Sequence, residues 1–152
     1  MKQPNYDIAI IGAGVLGGML ARTLSKYQIS VALLEKEHDV ACGASKANSG
    51  IVHGGFDPEP GTHKAALNAP GIALLYQAAE ELNVPYRKNG SMVCAFGAEE
   101  EPALRELYQR GLANGVTDME LLRGDEGRAM EPNLSPDITA VLRIPSAGII
   151  CP

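Results

Sequence analysis

Residues 7–35 read DIAIIGAGVLGGMLARTLSKYQISVALLE, and this stretch decides the fold of the chain. It opens with an isoleucine-rich segment over residues 6–11, which is typical of a strand buried on both faces. A glycine turn follows, then a helix-like stretch over residues 19–27 and a second apolar strand over residues 30–34. We therefore predict a strand–turn–helix–strand unit in which the two strands are neighbours in a parallel sheet.

The turn, Gly12-Ala13-Gly14-Val15-Leu16-Gly17, has the Gly-x-Gly-x-x-Gly spacing of a dinucleotide site. Gly12 makes the tight turn, Gly14 lets the backbone approach a pyrophosphate, and Gly17 lets the helix pack closely on the strand. Unpaired N–H groups at the helix start favour phosphate. Glu35 ends the second strand, where its carboxylate can accept hydrogen bonds from ribose hydroxyls. Its charge favours a ribose without a 2′-phosphate, and the complete context argues against a merely flexible glycine loop.

Composition excludes several classes of protein. The chain has 152 residues, about one domain, with 45% hydrophobic and 20% charged residues. Thirteen basic and 18 acidic residues give a net charge of −5, which argues against a nucleic-acid or anionic-membrane surface. No apolar run is long enough to span a bilayer, and residues 1–4 lack the apolar core of a signal peptide. We expect a cytoplasmic protein without a transmembrane segment.

The three cysteines, Cys42, Cys94 and Cys151, lie far apart and form no paired-cysteine motif. We expect reduced thiols, no disulfide framework and no metal site. Cys42 is interpreted as a small buried residue rather than a redox thiol.

Residues 43–58, GASKANSGIVHGGFDP, are dense in glycine and small polar side chains. A nicotinamide-binding dehydrogenase, which is the alternative reading of the glycine turn, would have another helix–strand repeat here. The stretch instead indicates a backbone that passes close to a flat or charged ligand. A plain surface loop is the other possibility, although a structureless loop of this length is uncommon unless it is functional.

The remainder of the chain predicts alternating elements of a different kind. A helix is expected over residues 63–82, broken at Pro70-Gly71, and a hairpin of residues 86–88 and 91–96 around Asn89-Gly90. A helix over 98–114 stopped by Gly115, a strand over 119–122, a short helix over 125–130 and a strand over 138–144 follow. The expected buried helix positions are Ile72, Leu75, Tyr76, Ala79, Leu82, Leu104, Leu107, Tyr108 and Leu112. We place a domain boundary near residue 85, with one domain over 1–84 and another over 85–152.

The glycine unit ending in Leu34-Glu35-Lys36, followed by SKANSGIVHGG at residues 45–55, resembles the D-amino-acid-oxidase-like flavoenzymes. Within them it is most similar to the glycerol-3-phosphate oxidase and dehydrogenase group, and next to L-2-hydroxyglutarate oxidases. Looser similarity at Asn89-Gly90-Ser91, Leu112-Ala113-Asn114-Gly115, Glu131-Pro132 and residues 145–148 extends the resemblance over essentially the whole chain.

This resemblance implies FAD as the cofactor and a histidine base. His53 matches the family's base, which removes the substrate's hydroxyl proton while hydride passes to the flavin, and imidazole suits this role because it changes charge near neutral pH. Ser49 matches a residue on the substrate side. A histidine that only packs in its loop is the alternative for His53. The cofactor-binding positions implied are Gly12, Ala13, Gly14, Val15, Leu16, Gly17, Glu35, Lys36, Ser45, Asn48, Ser49, Gly50 and Ile51.

The resemblance also implies an α/β fold, in which an incomplete Rossmann-like FAD-binding βαβ unit is followed by the start of an α+β substrate domain. The reaction it implies is oxidation of a small anionic hydroxylated substrate, sn-glycerol 3-phosphate, to dihydroxyacetone phosphate. Oxygen or another carrier would take the electrons. L-2-hydroxyglutarate or another small hydroxy acid is the alternative substrate.

Family members are longer than this chain, so we expect it to be the front portion of a longer protein. The alternative is an inactive truncated flavin-binding fragment, and the reading frame beyond Pro152 would separate the two.

Overall fold

A computed structural model describes residues 5–151, so that residues 1–4 and Pro152 lie outside the described part. The chain forms eight strands and four helices within that part. The strands are β1 (Ile8–Ile11), β2 (Val31–Leu34), β3 (Ile51–Val52), β4 (Tyr86–Arg87), β5 (Ser91–Phe96), β6 (Glu120–Arg123), β7 (Ile138–Ile144) and β8 (Gly148–Ile150). The helices are α1 (Val15–Leu24), α2 (His63–Glu81), α3 (Glu101–Ala113) and α4 (Gly124–Met130).

These elements form two compact units, the first up to Ser49 and the second over Gly50–Cys151. This division by internal contacts lies at a different place from the predicted domain boundary near residue 85. That boundary assigns parts of the chain to the domains of a whole flavoenzyme, and it stays a prediction.

The first unit is the predicted βαβ arrangement. Strands β1 and β2 pair in parallel, with Ile8 opposite Val31 and Ile11 opposite Leu34, and α1 connects them. Asp7 and Ser30 hold the entry to both strands. The Ser30 N–H and hydroxyl both donate to Asp7 Oδ2, at 2.8 and 2.7 Å, and these bonds lower the pKa of the Asp7 carboxyl.

Two details of this unit differ from the sequence prediction. Helix α1 begins at Val15, directly after the second glycine of the turn, and ends at Leu24 instead of covering residues 19–27. Val15, Leu16 and Gly17 of the glycine turn therefore form the first turn of α1. Strand β1 is also not buried on both faces, since Ile10 is buried whereas Ile11 is 88% exposed.

The second unit contains two antiparallel sheets of three strands, in the orders β3-β8-β4 and β5-β7-β6. Its core lies where α3 packs on the second sheet. Leu142 and Ile144 of β7 are fully buried there and form one cluster with Leu104 of α3. Val141 is equally buried, but it lies on the other face of β7, against Gly127 of α4. The mostly apolar strand β7 thus lies at the centre of the second unit.

The predicted hairpin around Asn89-Gly90 is wrong. Strand β4 pairs with β8, Arg87 lying opposite Ile149, whereas β5 pairs with β7, Ser91 lying opposite Ile144. The chain does not reverse at Gly90. It crosses from one sheet to the other there, with a φ of +74° and its N–H donating to the Ala147 carbonyl at 3.0 Å. The left-handed backbone that makes Asn-Gly a turn signal is present, but it serves a bend between two sheets.

The predicted helix break at Pro70-Gly71 is also wrong, because α2 runs through Pro70 without interruption. Pro70 lies on the exposed side of α2, so that its missing N–H weakens the helix without ending it. Tyr76 and Ala79 are buried as predicted, whereas Leu82 is 52% exposed because the helix ends before it.

The remaining elements lie close to their predicted positions. Helix α3 carries Pro102 in its first turn, and Gly115 follows its end with a φ of +83°. Leu104 is buried on α3 and Leu107 and Tyr108 are half-buried, whereas Leu112 is exposed. Strands β3 and β8 are too short for the sequence pattern to reveal.

Candidate functional site

A cleft of about 630 Å³ opens at the carboxyl ends of β1 and β2 in the first unit. Ligands of open parallel sheets bind at this edge. The lining residues come from the glycine turn, the end of β2 and the loop that follows: Ile11, Gly12, Gly14, Leu34, Glu35, Lys36, Glu37, Ala41, Cys42, Gly43, Ala44 and Ser45.

The glycine turn is shaped by close packing. Gly12 has a φ of +98°, and its N–H donates to the Leu34 carbonyl at 2.7 Å, which holds the turn against β2. A Cβ at Gly17 would lie 1.9 Å from the Gly12 carbonyl oxygen. Only glycine at position 17 therefore lets α1 approach the turn this closely, as the spacing predicted.

The N-terminus of α1 is capped from a distance. The N-cap residue Gly14 has no side chain to accept a hydrogen bond, and Ser45 supplies the missing oxygen, since its Oγ accepts the Val15 N–H at 2.8 Å. A Cβ at Gly14 would meet that Oγ at 3.0 Å. Gly14 and Ser45 are thus matched to each other at the floor of the cleft.

Glu35 is held rigidly at the end of β2. Its Oε2 accepts the Ala13 N–H at 2.7 Å, and its Oε1 accepts the N–H groups of Lys36 and Glu37 at 2.8 and 3.0 Å. The bond from Ala13, followed by that from Glu37, lowers the pKa of the Glu35 carboxyl. A carboxylate can accept about four hydrogen bonds, so that capacity remains for a hydroxyl donor in the cleft.

The loop over residues 41–45 forms the far wall of the cleft, and only Ser45 of this loop was predicted as a site residue. Ala41 has a φ of +58°, and its N–H donates to the Ala13 carbonyl at 3.0 Å. Cys42 is exposed and lines the cleft, which corrects the expectation that it is buried. In the sequence, the small residues Gly43 and Ala44 beside Ser45 were the feature from which this wall of the cleft could have been predicted.

Other predicted cofactor positions surround the cleft or lie outside its lining. Ala13 is buried, whereas Val15 and Leu16 are exposed in the first turn of α1. The side-chain amide of Asn48 donates to the carbonyl oxygens of Ala44 and Ser45, at 3.1 and 2.9 Å, and so braces the loop. Ser49 is exposed at the end of the first unit.

Three predicted positions belong to the second unit. Gly50 is buried with a φ of +66°, and Ile51 is an exposed residue of β3. His53 follows β3 directly and its side chain is exposed, whereas its neighbours Val52 and Gly54 are buried. The structure thus gathers the glycine turn, Glu35 and Ser45 around one cleft of the first unit, whereas His53 belongs to the second unit.

The cleft has the donors and acceptors that a dinucleotide requires. Backbone N–H groups and the positive end of α1 suit a pyrophosphate, and the oriented Glu35 carboxylate suits a ribose diol. Gly12 and Gly14 leave the space that a Cβ would fill. The residues present therefore fit FAD. Within residues 5–151, no three His, Cys, Asp or Glu side chains come together as a metal site.

A family model described as DAO, FAD dependent oxidoreductase, matches residues 7–152. The chain belongs to this family. It is 46% identical over 147 residues to a glycerol 3-phosphate dehydrogenase of Caloramator mitchellensis, covering 97% of this chain and 31% of that protein. It is 39% identical over 132 residues to a mitochondrial L-2-hydroxyglutarate dehydrogenase of Caenorhabditis elegans, covering 86% of this chain and 30% of that protein.

Among solved structures, the DAO-family chain is similar to L-alpha-glycerophosphate oxidase from Mycoplasma pneumoniae with FAD bound. The TM-score is 0.90 at 35% identity, over 97% of this chain and 39% of that one. The chain spans about a third of the length of the curated relatives it matches.

These findings confirm the predicted flavoenzyme family and FAD as its cofactor. The nicotinamide alternative expected a further helix–strand repeat after Glu35, and the described residues between β2 and β3 contain no helix or strand. Among residues 5–151, no helix combines the length and hydropathy needed to cross a bilayer.

Proposed function

We propose that the chain serves in FAD-dependent oxidation of sn-glycerol 3-phosphate to dihydroxyacetone phosphate. The observation that carries the proposal is the 46% identity to a glycerol 3-phosphate dehydrogenase over 97% of the chain. It exceeds the 39% identity to an L-2-hydroxyglutarate dehydrogenase over 86% of the chain.

The first unit would hold the cofactor. The glycine turn and the start of α1 would bind the pyrophosphate, Glu35 would accept the ribose hydroxyls, and Ser45 would keep the helix start in place. Gly50 and Ile51 are proposed as further cofactor contacts from the second unit. FAD supplies the acceptor for the hydride that leaves the substrate carbon.

His53 is proposed as the base. Loss of hydride from a secondary alcohol requires removal of the hydroxyl proton, and a neutral imidazole can accept it. Ser49 is proposed to hydrogen-bond the substrate. The exposed His53 side chain between the buried residues Val52 and Gly54 supports this role, because a base needs access to its substrate and a constant position.

The test is His53→Gln in the full-length protein, studied by rapid mixing with sn-glycerol 3-phosphate without oxygen. Flavin reduction should slow by about 10² to 10⁴-fold, the range for loss of a general base. The flavin content and the reoxidation rate should stay unchanged. The matched control is His63→Gln, which replaces an exposed histidine at the start of α2. If the His53→Gln variant reduces its flavin at the wild-type rate, His53 is not the base.

L-2-hydroxyglutarate is the second candidate substrate, supported by the 39% identity noted above. Steady-state assays of the full-length protein with both compounds distinguish the two. Activity on the hydroxy acid alone would contradict the glycerol 3-phosphate proposal. Reduction of bound flavin by neither compound would favour the inactive flavin-binding alternative.

A further inference from the structure

We propose that Asn114 is a positioning residue for His53, because its side chain fixes the loop Gly54–Pro58 that directly follows the histidine in the chain. This proposal rests on the role of His53 under the proposed function. It extends that role to Asn114, which lies 61 positions after His53 in the sequence and belongs to neither the glycine turn nor the histidine stretch.

The loop Gly54–Pro58 lies between an exposed histidine and the body of the second unit. Gly54, Gly55 and Pro58 are buried, although the flanking His53 and Glu59 are exposed. A loop with buried backbone needs partners for its carbonyl groups. The position of the His53 side chain depends on this segment, since β3 on its other side has only two residues.

Asn114 supplies those partners. Its Nδ2 donates to the Pro58 carbonyl at 2.7 Å and to the Gly55 carbonyl at 3.3 Å. Both partners are acceptors only, so that the side chain must present its NH₂ group rather than its oxygen to the loop. One amide thus ties together both ends of the bend that follows His53.

Asn114 is itself held firmly. It is the C-cap of α3, and its N–H donates to the carbonyl oxygens of Arg110 and Gly111 at 3.0 and 3.1 Å. Gly115, which follows, has a φ of +83° and turns the chain away from the helix. The amide therefore projects from the end of a rigid helix of 13 residues.

Independent contacts bind the same loop to the same helix. Arg110, one turn earlier on α3, donates to the Asp57 carbonyl at 3.2 Å. A Cβ at Gly111 would lie 2.9 Å from the Cβ of Phe56, so that Phe56 packs directly on the helix. A Cβ at Gly54 would lie 2.1 Å from Ile144 Cγ2 in the core. These contacts hold the loop against α3, and the Asn114 amide adds the bonds to its Gly55 and Pro58 carbonyl groups.

The test compares Asn114→Ala and Asn114→Asp with wild type in the full-length protein. The Asp variant keeps the shape of the side chain but sets carboxylate oxygens against two carbonyl oxygens. The Ala variant lets water replace the amide, and it serves as the test if the Asp variant does not fold. Hydrogen exchange of the backbone amides of residues 54–57 and 59 should become several times faster in both, with flavin content unchanged. Reduction of the flavin by sn-glycerol 3-phosphate should slow by up to about 10²-fold, the loss expected from a displacement near 1 Å.

A double-variant comparison shows whether Asn114 acts through His53. In a His53→Gln background, Asn114→Ala should change the reduction rate hardly at all, because the group that it positions is gone. Equal losses in both backgrounds would show a general structural role and overturn the proposal, as would unchanged exchange of residues 54–57 and 59. Asn133→Ala, which removes an exposed amide bonded to Glu131 at 2.9 Å, is the matched control and should change neither readout.

The two proposals fail in different ways. If His53→Gln slows reduction but the Asn114 variants do not, only the positioning role is lost. If His53→Gln reduces its flavin at the wild-type rate, the base is excluded and the positioning role is excluded with it.

Discussion

Gly17 and Gly18 are adjacent residues of α1 with opposite surroundings. A Cβ at Gly17 would collide with the Gly12 carbonyl, whereas a Cβ at Gly18 would meet nothing within 4 Å. The first glycine is required by packing and the second by nothing visible in the structure. The Gly-x-Gly-x-x-Gly spacing includes Gly17 and not Gly18, and the close approach of the Gly12 carbonyl explains why glycine is needed at position 17.

Gly17→Ala should lower the free energy of unfolding by about 1–3 kcal/mol, the usual cost of overpacking, and should reduce the FAD retained on purification. Gly18→Ala should leave FAD unchanged and raise stability by up to about 1 kcal/mol, because alanine is the better helix former. Urea unfolding and flavin absorbance of both variants check this. Equal effects of the two substitutions would contradict the packing role of Gly17.

The Glu35 carboxyl predicts a pH dependence. Its pKa is lowered in the fold, chiefly by the Ala13 N–H. Such a group stabilises the folded state fully above the pKa of the unfolded chain and loses this contribution as the pH falls through the lower folded value. The advantage of wild type over Glu35→Gln should therefore be constant near neutral pH and shrink below about pH 4.

Urea midpoints of wild type and Glu35→Gln between neutral pH and pH 3 measure this difference. Glu37→Gln is the control, because the Glu37 carboxylate pairs with the exposed Lys36 ammonium at 3.2 Å and exposed pairs contribute little. If the difference in urea midpoint between wild type and Glu35→Gln does not vary with pH, the pKa of Glu35 is not lowered in the folded state.

At the scale of elements, α2 and α3 place proline differently. Pro70 lies in the interior of α2, where it removes one helical hydrogen bond and crowds the preceding turn. Pro102 lies in the first turn of α3, where no such bond is lost. The same residue type therefore has a cost in one helix and none in the other.

Pro70→Ala should raise the free energy of unfolding by about 1–3 kcal/mol, up to the penalty for an interior proline, whereas Pro102→Ala should change it by a few tenths at most. Thermal and urea unfolding of both variants are the measurements. A destabilised Pro70→Ala would show that the proline supports a needed bend in α2.

At the scale of the whole molecule, the family match makes FAD the cofactor, and the course of the chain after β2 argues against a nicotinamide-binding domain. Without a helix–strand repeat between Glu35 and β3, the chain lacks the next part of a nicotinamide-binding sheet. The full-length protein should therefore purify with flavin absorption bands and release FAD on denaturation, and NAD should not displace it. Bound NAD with no flavin bands would overturn the assignment of FAD to this protein.

Much of the fold follows from the sequence by itself. The βαβ unit with its dinucleotide motif and the placing of α3 and β7 depend on local signals, namely glycine spacing, strand length and apolar periodicity. FAD as the cofactor was implied by the family resemblance of residues 45–55. The packing of Gly17 on the turn follows from the same spacing. These features are set by steric limits and hydrogen bonds among residues close in sequence, and such limits can be read from residue type.

Only the tertiary structure decided which distant segments meet. Asn89-Gly90 encodes a left-handed bend, but the available edges of β7 and β8 determine that the bend joins two sheets instead of closing a hairpin. The cap of α1 by Ser45 and the anchoring of the loop Gly54–Pro58 by Asn114 likewise join residues with no shared local signal. Backbone N–H and carbonyl groups are identical along the chain, so their partners are selected by packing of the whole unit and not by the residues that carry them.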